Sequence, residues 1–181
     1  MRKYMFRRGP RGGEYGSQTW TTFVQNHANA VVASDFLTVV TVRFKVLFVL
    51  VIMEIESRKI LHVNVTPHPT RAWISQQFRE AIPFEHPYRF VILDRDILFS
   101  PEVGKTIEHL GVKVLRTPPR APKANSFCER LNRTLRRECL DFLIPLSENH
   151  LRRALFRFRD FYNRGRPHSS LGPGVPVPSD G

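Results

Sequence analysis

Two cysteines, Cys128 and Cys139, are all that 181 residues contain, too few for a disulfide framework and without the paired spacing of a zinc site. Reduced thiols and a cytoplasmic setting are expected. Acidic residues are scarce too: 16 Asp and Glu stand against 28 Lys and Arg, a formal charge of +12. That surplus says nothing about fold, but it makes a polyanion the expected partner, and nucleic acid the first choice. Long apolar runs are missing. The longest, residues 46–53, covers eight positions, far short of the roughly 20 that a membrane-spanning helix needs. After the basic start, Gly9, Pro10, Gly12 and Gly13 stand where a secretory signal would carry its apolar segment. GxxxxGK[ST], HExxH and GxSxG motifs are absent, and the seven histidines show no metal-ligand spacing. Nucleotide hydrolysis at a P-loop, zinc proteolysis and serine hydrolysis therefore lack their parts.

What is present suits one mixed α/β domain. Hydrophobic residues make up 41% and charged residues 24% of the chain, enough apolar side chain for a real core. Residues 1–18 read as a flexible basic arm, with five cations against Glu14 and four glycines. Residues 19–166 form the core, and 167–181, rich in Pro, Gly and Ser, an irregular tail. Within the core, β-branched and apolar patterning predicts strands at 31–42, 46–55 and 60–66, an antiparallel meander. A helix capped by Thr70 follows and stops before Pro83. Next come a strand at 90–93 ended by Asp94, a helix capped by Ser100 and ended at Gly111, and a strand at 112–115. The prolines over 117–122 predict a stiff connection. A helix over 123–140 carries Ala124, Phe127, Cys128, Leu131, Leu135 and Cys139 as one apolar stripe, and a last helix spans 147–162.

Acids are informative in a basic chain, because a carboxylate near a phosphate-binding surface costs affinity unless a cation sits on it. Asp35 interrupts an apolar strand, Asp94 ends another, and Glu129 shares a helix face with Asn132, Arg133 and Arg136. Taken singly, Asp94 also reads as a cap and Glu129 as an ordinary partner of Arg133, whereas Asp35 is hard to bury without a partner. Asp96 is a further acid near the second strand end. Three carboxylates gathered at one edge of a sheet would repel one another. Divalent ions with oxygen ligands, Mg²⁺ or Mn²⁺, are the natural remedy, and two such ions can drive an in-line phosphoryl displacement.

In order along the chain, SDF at 34–36, LDRD at 93–96 and PKANSFCERLNRTLRREC at 122–139 resemble the catalytic core of bacterial insertion-sequence transposases and of retroviral integrases. FYNRGRPHSSLG at 161–172 is similar to the segment that follows the acidic helix in the bacterial members. The resemblance implies a ribonuclease-H-like fold, a five-stranded mixed sheet with its first three strands antiparallel, flanked by helices. It implies that Asp35, Asp94 and Glu129 are the catalytic acids and bind two Mg²⁺ (or Mn²⁺) ions. Lys123, Asn125, Arg133 and Arg136 become candidate DNA contacts. The implied activity is metal-dependent DNA cleavage and strand transfer in DNA transposition, by a homo-oligomer on element ends and target DNA, in the bacterial cytoplasm and associated with the nucleoid. Such relatives carry an amino-terminal helix-turn-helix, which the first 30 residues here do not build. A separate helix-turn-helix subunit or a full-length transposase is thus an expected partner. A truncated, inactive DNA-binding remnant is the alternative.

Overall fold

The computed structural model describes residues 20–94, 96–117, 126–168, 171–172 and 174–178. The basic arm, most of the proline-rich connection and the start of the expected 123–140 helix lie outside them. Five strands form one sheet: β1 (Val31–Val40), β2 (Val46–Glu54), β3 (Ile60–Thr66), β4 (Phe90–Leu93) and β5 (Lys113–Arg116), in the order β3-β2-β1-β4-β5. The first three are antiparallel, while β4 pairs parallel to β1 and β5 parallel to β4. This is the expected mixed sheet. β1 stops at Val40, two residues before its predicted end, because Thr41 begins the turn, donating to Lys45 O at 2.9 Å.

Helices cover both faces. On one, α2 (Arg71–Ala81) and α3 (Pro101–His109) bury Ile74, Phe78, Val103 and Ile107 against Val32, Leu50 and Ile52. Their starts are fixed by side-chain caps: Thr70 accepts from Trp73 N at 3.2 Å and Ser100 from Val103 N at 3.4 Å. Beyond α3, Gly111 takes φ +84°, a left-handed conformation that lets the chain reverse into β5. On the other face, α4 (Ser126–Glu138) and α5 (Glu148–Arg164) bury Cys128, Leu131, Leu135, Leu151 and Leu155 against Val31, Ala33, Leu37 and Val39. Each such leucine contributes about 1.5–3 kcal/mol by leaving water. The apolar stripe expected from 3.6-residue spacing is therefore the one that packs.

Two features depart from the sequence reading. Residues Trp20–Asn26 form a short helix, α1, in a stretch with two threonines and a valine, which favour helix weakly. Packing supplies the stability: Val24 is buried and the Phe23 ring lies edge-on to Phe90, centroids 5.2 Å apart. The tail, expected to be irregular, forms neither α-helix nor strand in its described residues, yet it is tied down. Val177 N donates to Asn163 O at 2.8 Å, and His168, buried, donates its backbone N–H to Gly174 O at 2.9 Å. Asn163 itself clamps β3, accepting from Ile60 N at 2.9 Å and donating to Ile60 O at 3.0 Å. Arg166 grips Glu138 at the end of α4 through Nε and Nη2, at 2.6 and 2.7 Å. Much of the FYNRGRPHSSLG segment thus fastens α5 to the sheet and to α4.

Candidate active site

The site begins with register. Ser34 of β1 pairs in parallel with Leu93 of β4, so Asp35 and Asp94 are the next residues on two neighbouring strands that run the same way. Side chains alternate across a strand. Val31, Ala33 and Leu37 face α4 and α5, as does Ile92, so the same alternation carries Asp35 and Asp94 to that side. From above, α4 supplies Asn132, whose Nδ2 donates to Asp35 Oδ2 at 2.9 Å. Glu129, one turn earlier, is exposed and stands three positions before Asn132, on the helix side that meets Asp35. Asp35 and Asp94 therefore stand side by side at the carboxyl end of the parallel pair, where open α/β sheets bind their ligands, and the charge of Glu129 on α4 reaches Asp35.

Their electrostatics agree with their placement. The Asp35 carboxyl is raised to about 6: burial is the main cause, the Phe36 N–H that donates to its Oδ1 at 2.8 Å works against it, and the charges of Asp94, Asp96 and Glu129 add to the rise. The buried Cys128 thiol is raised well above its ordinary range, first by desolvation and then by Asp35, Asp94 and Glu129. Asp94 Oδ1 accepts from Thr117 Oγ1 at 2.9 Å, while Asp96 caps the following turn, accepting from Leu98 N at 2.9 Å. Among the described residues no ion pair joins Glu129 to Arg133, so the ordinary helix-pair reading of that acid finds no support.

A divalent ion is tested by the donors on hand. They are all oxygens, the class Mg²⁺ and Mn²⁺ prefer. Asp35 carries the like-charge crowding that a cation relieves, and Asn132 Oδ1 is buried with no hydrogen-bond partner among the described residues. The chemistry fits. The spacing is open, since among the described residues no three His, Cys, Asp or Glu side chains already form a metal cage.

Of the candidate DNA contacts, Lys123 and Asn125 lie outside the described residues. Arg133 is exposed on α4, and Arg136, also exposed, donates to Thr38 O at 3.4 Å across the seam between α4 and β1. Asn132 was visible in the sequence as a neighbour of Glu129 on one helix face, but its partner lies on a strand 97 residues away. Thr117, holding Asp94, had no signal at all. No helix among the described residues is long and apolar enough to cross a membrane.

Comparison with known proteins agrees with the architecture. The profile of the integrase core domain family matches residues 110–176, which carry α4, α5 and the clamp that follows. No curated protein matches the chain. Among solved structures, the catalytic core domain of BIV integrase is similar over 82% of this chain and 91% of its own, with a TM-score of 0.61 at 16% identity. A chain of the simian T-cell lymphotropic virus intasome, solved in complex with the PP2A regulatory subunit B56 gamma, is similar over 75% of this chain with a TM-score of 0.61, also at 16% identity. The present chain spans about half of that intasome chain, 48%. The fold is that of an integrase catalytic core, ribonuclease-H-like, with a five-stranded mixed sheet between helices.

Proposed function

We propose that this chain is the catalytic core of a transposase or integrase, a polynucleotidyl transferase that cuts DNA and joins the freed end to a target during DNA transposition. The observation that carries the reading is the adjacency of Asp35 and Asp94 at the ends of two parallel strands, with Glu129 within reach of Asp35 by charge, in a chain with twelve surplus positive charges. Asp35, Asp94 and Glu129 would hold the divalent cations, two Mg²⁺ or Mn²⁺ ions. When bound, such ions supply an activated oxygen nucleophile and neutralise charge on the leaving oxygen. The protein's own part is positional. Asn132 orients Asp35 and favours its ionised form, Thr117 orients Asp94, and α4 brings Glu129 to the strand ends. Residues 113–166 hold fourteen Lys and Arg against five Asp and Glu, and this basic region would lie against the phosphate backbone, with Arg133, Arg136, Lys123 and Asn125 as contacts. Oligomers on paired ends, a partner that recognises the element's ends, and a place at the bacterial nucleoid belong to the same reading.

A DNA-binding module without catalysis is the second reading, favoured by the open spacing of the acids. One experiment separates the two. Pre-cleaved element ends and plasmid target are incubated with Mn²⁺ and either the parent chain or Asp35→Asn, Asp94→Asn or Glu129→Gln. Joining by the parent, abolished in each variant with DNA binding retained, is the expected result. Joining that survives all three substitutions removes the assignment, and a parent that binds DNA but neither cuts nor joins leaves the second reading.

A further inference from the structure

The last parallel pair that β4 makes with β1 is Leu93 with Ser34, yet β1 runs on to Val40 with β2 beside it. This hairpin projects past β4 and β5 at the end of the sheet that bears Asp35 and Asp94, and its tip begins about 17 Å beyond Asp35 at ~3.3 Å per residue. Three hydrogen bonds close the turn: Thr41 N to Lys45 O at 2.9 Å, Phe44 N to Thr41 O at 2.9 Å, and Lys45 N to Thr41 Oγ1 at 3.1 Å. They hold Phe44 88% exposed, with its backbone at φ +57°. A bulky aromatic in the left-handed region is unfavourable, and a phenyl ring in water recovers nothing from this chain. Arg43 and Lys45 flank it, both exposed, and no acid occurs between residues 36 and 53.

An outward aromatic between two cations, at the catalytic end of a basic chain, suits a ligand with both π-faces and phosphates. We propose that the β1–β2 tip is a DNA contact in which Phe44 stacks on an unpaired base a few nucleotides from the reacting phosphate while Arg43 and Lys45 neutralise the backbone on either side. The inference rests on the DNA-processing reading and names the form of DNA that the site takes: a frayed or distorted end rather than an intact duplex. The rival occupant is a protein. Phe142, Ile144 and Leu146 are exposed beside the tip, where Val42 N donates to Pro145 O at 2.9 Å. The tip also exposes Val42 and Val46, but its charged residues are cations alone, whereas those neighbours include an acid, Asp141, and this charge pattern favours DNA at the tip.

The test measures binding without divalent ions, so that it is independent of catalysis. Fluorescence anisotropy compares an intact duplex with one frayed by three unpaired nucleotides, and 2-aminopurine at the fray reports stacking. Expected for Phe44→Ala is intact-duplex affinity within twofold of the parent, about tenfold weaker binding of the frayed duplex, and loss of the 2-aminopurine quench. Phe44→Trp should restore both. Replacing Arg43 and Lys45 by alanine should weaken both DNAs and reduce the salt slope by about two. The proposal is overturned if Phe44→Ala leaves frayed-duplex binding and quenching at parental values. It is equally overturned if that variant converts a dimeric parent to monomer with DNA binding unchanged, which would make the tip a protein interface. A parent chain that binds neither DNA overturns the functional reading together with this one.

Discussion

Asn132 on α4 donates its side-chain N–H to Asp35 on β1 at 2.9 Å, and this bond ties the helix bearing one candidate acid to the strand bearing another. The acceptor is a carboxylate whose burial disfavours its charge, so the donor works against desolvation. A bond of this kind, to a charged group, is worth about 1.5–3 kcal/mol. Its removal by Asn132→Ala should raise the Asp35 midpoint above about 6. Carboxyl ¹³C chemical shifts followed against pH would show the move, and an unchanged midpoint would show that the amide has no hold on the acid.

Stability should depend on pH through the same residue. The folded-state value of about 6 lies above the ~3.9 of an unfolded aspartate, so the native state binds the proton more tightly. This contribution is fully present below about pH 4 and is lost as the pH rises through about 6. For a fully buried group the difference would reach about 3 kcal/mol, and the partial exposure of Asp35 lowers it. Asp35→Asn should therefore melt above the parent at pH 7.5 and close to it at pH 4, because Asn132 can turn its unpartnered Oδ1 to receive the new amide. Mn²⁺ at pH 7.5 should raise the parent's Tm and leave the variant's unchanged. Calorimetric scans at both pH values check all of this.

Asn163→Leu should be costly. It leaves both backbone groups of Ile60 without their partner, in a place where the side chain is buried. With each abandoned group worth about 1–3 kcal/mol, a loss of about 2–4 kcal/mol is expected from urea unfolding. A loss below ~0.5 kcal/mol would mean that water reaches the start of β3.

Thiol labelling should separate the two cysteines. Cys128 is buried, with its thiol pushed well above the ordinary range, whereas Cys139 is half-buried and raised by desolvation. Iodoacetamide at pH 8 should modify Cys139 slowly and Cys128 only after unfolding, as read by peptide mass spectrometry. Rapid alkylation of Cys128 in the folded chain would contradict the packing of α4.

Much of this architecture was readable beforehand, and the reasons are local. Thr70, Ser100 and Ser147 announced their helices because a cap is a short-range bond, and all three accept as expected. β4 was legible from four apolar residues halted by Asp94. The helix at Trp20–Asn26 was not, since its weak propensity is overridden by contacts with Phe90, far along the chain. Asp35, Asp94 and Glu129 could be named as acids out of place, but that Asp35 and Asp94 stand side by side depends on the parallel register of Ser34 with Leu93, which no local pattern encodes. Asn132 and Thr117 escaped assignment for the same reason. The role of FYNRGRPHSSLG as a clamp was equally hidden, because Ile60 and Glu138 are its distant partners.

Past Ser34, β1 keeps β2 on one side but loses β4 on the other, and there Asn132 and Arg136 of α4 are the rungs. Sheet ladders are stiff in their spacing; side-chain rungs are not. The position of Glu129 relative to the two aspartates is therefore set by the leucine packing and side-chain bonds of α4 and not by the ladder hydrogen bonds of the sheet.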